Sequence, residues 1–174
     1  MIYPISGDSA IQYWQTCSYA GQELNYVNNS MLFSDKDLTD KDFYLSQILS
    51  FADRNSIRAP VHILTGQESR RHKGKDFITH LAPADLPLKS IVELQGPVYI
   101  VSPELCFLLA AREKTFPELV KIGYVLFAKY VPAPREEFLQ RTRVPLTTAA
   151  KLNEFINSAH NINGIVAAKK ALKA

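Results

Sequence analysis

The stretch KSIVELQGPVYIVSPELCFLLAAREK, residues 89–114, predicts two β-strands followed directly by a helix. Its first half contains two short runs rich in β-branched residues, and Gly96 marks the turn between them. Ser102 then offers a side-chain cap, and the proline and glutamate after it suit the first turn of a helix. We therefore expect strands over 89–94 and 97–101 and a leucine-rich helix from Ser102 onward.

Two similar runs precede this stretch, VHILT at 61–65 and DFITHL at 76–81. Because the segments between neighbouring runs are short, we expect the four strands to pair in antiparallel fashion. The asparagine- and serine-rich segment 25–35 is typical of a loop. Helical periodicity indicates further helices, which we place from about Ser9, from about Thr39, over 116–129 and in two pieces after residue 145, with a break near 161–164.

These elements place the chain in the α+β class, with a small antiparallel β-sheet flanked by helices and a helical C-terminal extension. A chain of 174 residues has the size of one ordinary domain and can bury a sizeable core. We expect an α+β core domain over residues 1–131 and a helical connector or extension over residues 132–174.

The composition is that of a globular protein, with 47% hydrophobic and 21% charged residues. No apolar run approaches the roughly 18 residues of a membrane-spanning helix, and the first residues lack the features of a secretion signal. We therefore expect a cytoplasmic protein that does not enter a membrane. The cysteines and histidines lack metal-ligand spacing, so we expect no metal and no other cofactor. The motifs of serine hydrolases and of nucleotide-binding loops are absent as well, and we assign no catalytic residue.

Charge is distributed unevenly along the chain. Residues 1–57 contain seven acids and three bases, whereas the remainder contains 10 acids and 17 bases. This asymmetry suggests that the later part of the chain faces an anionic partner.

The basic loop TGQESRRHKGKDFITH, residues 65–80, is the first candidate site. Clustered cations at a strand connection suit phosphate contacts, which are independent of sequence and sensitive to salt. The arginines also suit pairing with carboxylates on a partner protein. A solvated hairpin tip that opposes aggregation is the alternative without a binding function. The cations of this loop are Arg70, Arg71, Lys73 and Lys75, and His80 lies beside them.

Basic residues near the C-terminus form a second candidate set. If the connector folds back on the sheet, Arg141 and Arg143 extend the same positive face. For the last lysines of the chain we favour an ordinary charged helical surface. We therefore assign a nucleic-acid-binding role to Arg141 and Arg143 in addition to the basic loop.

A metal-dependent nuclease is the alternative from a different functional class. Nucleases of the PD-(D/E)XK class need an acid on one strand and an E-x-K sequence on the next, because two carboxylates hold the cation. Asp76 and Glu93 come nearest to this pattern. Gln95 stands where the lysine belongs.

Three features in order carry a family resemblance. An SAxxYW-type helix start at 9–14 is followed by an RRxKG loop at 70–74 that leads to His80, and then by VSPE at 101–104 before a leucine-rich helix. This order resembles the core domain of AbiEi-type antitoxins, which belong to bacterial abortive-infection toxin–antitoxin systems. It also looks like the front part of actinobacterial proteins in which such a core precedes a Vsr-like endonuclease domain of the PD-(D/E)XK class.

The resemblance implies a non-catalytic, antitoxin-like or nuclease-accessory module that binds nucleic acid, a cognate toxin or nuclease, or both. The chain departs from the family in two respects. AbiEi antitoxins usually begin with a winged helix-turn-helix, for which residues 1–8 leave no room, and the nuclease domain of the longer proteins would begin where this chain ends. Promoter repression and DNA cleavage are therefore not carried over.

Overall fold

A computed structural model describes residues 2–17, 23–34, 41–131, 141–142 and 144–174. The described elements follow one another in chain order as α1 (Gly7–Thr16), β1 (Asn25–Val27), α2 (Ser30–Phe33), α3 (Lys41–Arg54), β2 (Val61–Thr65), a 3₁₀ turn (Glu68–Arg70), β3 (Phe77–Leu81), β4 (Ile91–Gln95), β5 (Val98–Val101), α4 (Pro103–Ala110), α5 (Phe116–Phe127), β6 (Tyr130–Val131), β7 (Arg141–Thr142), α6 (Ala149–Ser158) and α7 (Ile165–Leu172). The α+β class is confirmed.

The predicted hairpin and the helix after it are present. β4 and β5 pair antiparallel, with Ile91 opposite Val101, and Gly96 has a positive φ of 52° in the turn. The backbone N–H of Leu105 donates to the Ser102 hydroxyl at 3.2 Å, so Ser102 caps α4 as expected. β1 adds antiparallel to the other side of β4 and completes a three-stranded sheet. The segment 25–35 was predicted to be a loop, and this part of the prediction was wrong.

β2 and β3 pair parallel, with Val61 opposite Phe77, so the antiparallel pairing predicted for them was wrong. The physical reason lies in the connector, residues 66–76. It contains the 3₁₀ turn and then runs along the outer edge of β3, where Lys73 bridges antiparallel to Ile78. A connector of this length can carry the chain back to the start of a parallel strand, whereas a tight turn cannot.

An N-terminal segment, Pro4–Ser6, joins the parallel pair to the antiparallel sheet. Ile5 forms an antiparallel bridge to Ile63 of β2 and a parallel bridge to Ile100 of β5. Its N–H donates to Tyr99 O at 2.8 Å, and its carbonyl accepts from the Val101 N–H at 2.9 Å. The strand order through this segment is therefore β3, β2, Pro4–Ser6, β5, β4 and β1.

The helices cover the sheet and complete one apolar core. Trp14 of α1 is fully buried and donates its indole N–H to Val101 O at 3.0 Å. α3 buries Tyr44, Ile48, Phe51 and Ala52, whereas Phe43 on the same helix is 56% exposed. α6 and α7 pack against α4, and their buried side chains join the same core. The two C-terminal helices and the break between them are confirmed.

Replacement of Ile5 tests the joining role of the N-terminal segment. Ile5 is fully buried, so Ile5→Ala should lower the free energy of unfolding by about 2–5 kcal/mol through lost burial and a residual cavity. Leu88→Ala is the matched control, because Leu88 is 86% exposed and its loss should change stability by less than about 0.5 kcal/mol. Urea denaturation measures both, and equal effects of the two substitutions would contradict the joining role.

Candidate nucleic-acid interface

The basic loop folds back on β3 as a hairpin at the outer edge of the sheet. The Thr79 N–H donates to His72 O at 2.7 Å, and the Gly74 N–H donates to Phe77 O at 2.8 Å. We call residues 71–79 the edge hairpin. Its first arm pairs with the outer edge of β3 and is the last strand position of the sheet. Backbone hydrogen bonds to β3 therefore fix where the side chains of this arm begin.

Arg70 lies before the edge hairpin and points to neutral partners within the molecule. Its Nε donates to the Gln67 side-chain oxygen at 2.6 Å, and its Nη1 donates to the Tyr3 hydroxyl at 3.2 Å. Tyr3 is buried next to the segment that joins the sheet. Arg70 therefore links the connector to the N-terminal segment, and the residue is only partly exposed.

The three remaining cations of the basic loop are exposed on the edge hairpin. Arg71 forms an ion pair with Glu68 at 2.8 Å, in which both side chains are more than half exposed. Such a pair contributes little to stability and exchanges readily with a competing anion. Among the described residues, the ammonium groups of Lys73 and Lys75 have no ion-pair partner.

His80 pairs with a second histidine, His62, across β2 and β3. His80 Nε2 lies 3.0 Å from His62 Nδ1, and the two rings lie 5.0 Å apart at an interplanar angle of 28°. Gly7 closes over this pair, because a Cβ atom at that position would lie 2.9 Å from His62 Nδ1. Gly7 also has a positive φ of 50°, which a glycine adopts without strain.

The histidine pair was not recognised in the sequence, although a signal for it exists. Both histidines lie within β-branched runs, and such runs form neighbouring strands. Burial and the neighbouring His62 lower the pKa of His80 below its ordinary value of 6.5, while Glu113 opposes this effect. His80 is therefore neutral at pH 7 and contributes a hydrogen bond to the protein itself.

A small cavity lies beside the histidine pair. We call it the α1 cavity, and its polar lining consists of Ser6 and Asp8 at the start of α1, His80, and Arg112, Glu113 and Lys114 after α4. Its volume is about 40 Å³. Lys114 forms an ion pair with Asp8 at 2.7 Å, and this contact raises the pKa of Lys114. The lining therefore has two cationic and two anionic side chains.

The prediction for Arg141 and Arg143 concerns side chains that the structure does not describe. Residue 143 and the side chain at position 141 lie outside the described residues, which give only the backbone of Arg141 in β7. Among the described residues, the candidate interface consists of the edge hairpin and His80, which follows it in β3.

The two acids of the nuclease hypothesis lie far apart in the sheet. Asp76 precedes β3, whereas Glu93 lies on β4 and accepts a hydrogen bond from the Asn25 side chain at 2.9 Å. Three strand positions separate β3 from β4, so the two strands are roughly 20 Å apart at the usual strand spacing. Within the described ranges, no group of three or more His, Cys, Asp or Glu residues is arranged to hold a metal ion.

Comparisons with protein-family models, curated proteins and solved structures gave no match. In the part of the chain that the structure describes, no helix has the length and apolar character needed to cross a membrane.

The histidine pair predicts a decrease in stability in acid. The pKa of His80 is lowered by folding, so below pH 6.5 the unfolded chain binds a proton more readily than the folded protein does. The contribution of His80 to the free energy of unfolding is therefore fully present above pH 6.5, and it is lost as the pH falls toward the pKa of His80 in the folded protein. We expect His80→Gln to reduce this loss, and His160→Gln, at an exposed histidine, to leave it unchanged. Urea denaturation between neutral and mildly acidic pH gives the free energy of unfolding of the wild type and the two variants. If this free energy changes with pH in the same way in all three proteins, His80 has no role in the acid sensitivity.

Proposed function

We propose that this chain is a non-catalytic, antitoxin-like or nuclease-accessory module of a bacterial toxin–antitoxin defence system, and that it binds nucleic acid through the edge hairpin. The observation that carries the proposal is the exposure of Arg71, Lys73 and Lys75 together on one hairpin at the end of the sheet. Nucleic-acid backbones are bound by such clustered cations, which release condensed counterions from the phosphates.

The position of the hairpin supports this function. The edge hairpin lies at the end of the sheet, and its backbone is fixed by pairing to β3, so a phosphate backbone meets cations whose backbone positions are already fixed. Glu68 and Asp76 reduce the net charge of the region 67–76 to +2. This modest charge favours weak, sequence-independent binding over tight recognition of one site.

The family resemblance supplies the biological setting of the proposal. An antitoxin-like module contacts a cognate toxin or nuclease as well as nucleic acid. The proposal places nucleic acid on the edge hairpin, and a cognate protein becomes the main partner if nucleic acid fails to bind.

Replacement of Lys73 and Lys75 tests the interface. Lys73→Ala with Lys75→Ala should weaken binding to every DNA sequence alike and reduce the slope of log affinity against log salt by about two, since each lysine contributes about one. Arg70 is unsuitable for this purpose because its loss also removes two internal hydrogen bonds. Fluorescence anisotropy with labelled duplex DNA at several salt concentrations gives the slope.

The matched control is Lys169→Ala with Lys173→Ala, which removes the same charge from α7 and from the residue that caps its C-terminus. This variant should keep the wild-type slope. If the slope of log affinity against log salt falls equally in the two double variants, only net charge matters, and the assignment to the edge hairpin is overturned. Cleavage of plasmid DNA with magnesium or manganese that is lost in Asp76→Ala would establish the nuclease alternative instead.

A further inference from the structure

The α1 cavity has the size of one small polyatomic ion. Its volume of about 40 Å³ holds about three water molecules. A tetrahedral oxyanion such as sulfate or a phosphoryl group fits a space of this size. The cavity is open to solvent on one side, because Arg112 and Glu113 at its rim are exposed.

Ser6 supplies the first indication that the cavity accepts a ligand. Its side chain is 1% exposed, and within the described part of the chain its hydroxyl has no hydrogen-bond partner. Ser6 occupies the N-cap position of α1 but does not cap the helix with its side chain. A buried hydroxyl without a partner is costly, and an oxyanion in the cavity that Ser6 lines would satisfy it.

The start of α1 provides further donors for an anion. The helix has ten residues, and its first backbone N–H groups carry the positive end of the helix dipole. The Arg112 guanidinium at the rim is a further donor, with a shape that suits an oxyanion. The Asp8 carboxylate opposes an anion, but its charge is offset by the Lys114 ion pair.

The charges around His80 indicate that an anion binds to the α1 cavity together with a proton. Facing His80 are His62 from β2, Asp8 from α1, Arg71 from the connector and, after α4, Arg112, Glu113 and Lys114. Arg71 is paired with Glu68, and the other charged groups cancel, so the lining is neutral while His80 is neutral. A proton on His80 therefore gives the site its net positive charge.

The histidine pair can hold this extra proton without breaking. When His80 is protonated, its Nε2–H donates to the lone pair of His62 Nδ1 across the same 3.0 Å contact. His80 Nδ1–H is not used by this contact, and it becomes a charged donor for the ligand.

We propose that the α1 cavity binds one tetrahedral oxyanion, a sulfate or phosphoryl group, and that His80 takes up one proton from solvent as the anion binds. The groups that donate hydrogen bonds to this anion all lie outside the edge hairpin. It is loaded by an inorganic anion without any nucleic acid.

Sulfate is the probe, because it keeps a double negative charge between about pH 5 and pH 8 and any pH dependence then belongs to the protein. We expect sulfate to raise the pKa of His80 in an NMR titration of its ring protons. By linkage, the affinity measured by calorimetry should fall as the pH rises, by at most about tenfold per pH unit. Binding that does not change with pH and leaves His80 unaffected would overturn the proposal.

Ser6→Ala separates the binding role from a structural one. The hydroxyl has no partner among the described residues, so its loss should not lower stability, whereas sulfate affinity should fall by about tenfold or more. Thr147→Val is the matched control, since it removes another buried hydroxyl without a described partner, outside the cavity. If Ser6→Ala binds sulfate like the wild type, the hydroxyl is not a ligand and the site is wrongly placed.

Two sources of the oxyanion are distinguished by a second set of probes. Competition between sulfate and inorganic phosphate, with neither strengthened by an oligonucleotide, identifies a free anion as the ligand. Tighter binding of a 5′-phosphorylated oligonucleotide than of its 5′-hydroxyl counterpart, lost in Ser6→Ala but retained in the Lys73 and Lys75 double variant, identifies a nucleic-acid end. If no phosphorylated or sulfated probe binds in a Ser6-dependent manner, the proposal fails, whether or not the edge hairpin binds DNA.

Discussion

The pairing of Pro4–Ser6 between β2 and β5 is the interaction on which the rest of the structure depends. Four backbone hydrogen bonds hold this segment: in addition to the two made by Ile5, the Leu64 N–H donates to Pro4 O and the Ser6 N–H donates to His62 O, both at 2.8 Å. Without it, a two-stranded and a three-stranded ladder would each present an unpaired edge to solvent. With the segment in place, the helices pack on one continuous sheet surface instead of two small ones.

The same segment determines the chemistry beside it. Because Ser6 is hydrogen-bonded to His62 through the backbone, the chain enters α1 directly above the histidine pair, and only a glycine at position 7 allows so close an approach. The start of α1 and the end of β3 therefore meet at one place. Arg112 and Lys114 reach it from the end of α4, whose position depends in turn on β5.

Local signals explain which parts of the fold were predictable. The hairpin of β4 and β5 and the start of α4 follow from Gly96 and Ser102, each of which acts within a few residues of itself. β1 has no such signal, since Asn25 becomes part of a strand only because β4 offers an edge. The direction of β3 depends on the path of the connector, and the joining role of Ile5 depends on two strands that lie far along the chain. Interactions of this kind leave no pattern in a short stretch of sequence.

The basic loop shows how folding divides a cluster of like charges. In the sequence the four cations are equivalent, yet the 3₁₀ turn directs Arg70 to Gln67 and Tyr3, while Lys73 and Lys75 remain on the outer arm of the sheet.

The two lysines also discourage edge-to-edge association with another sheet, because their charges would meet those of the second copy. This protective role does not compete with phosphate binding. Counterion release requires cations that can reach the phosphates, and both lysines are exposed on the edge hairpin. The loop therefore combines one arginine that stabilises the fold with lysines that the fold leaves available for a partner.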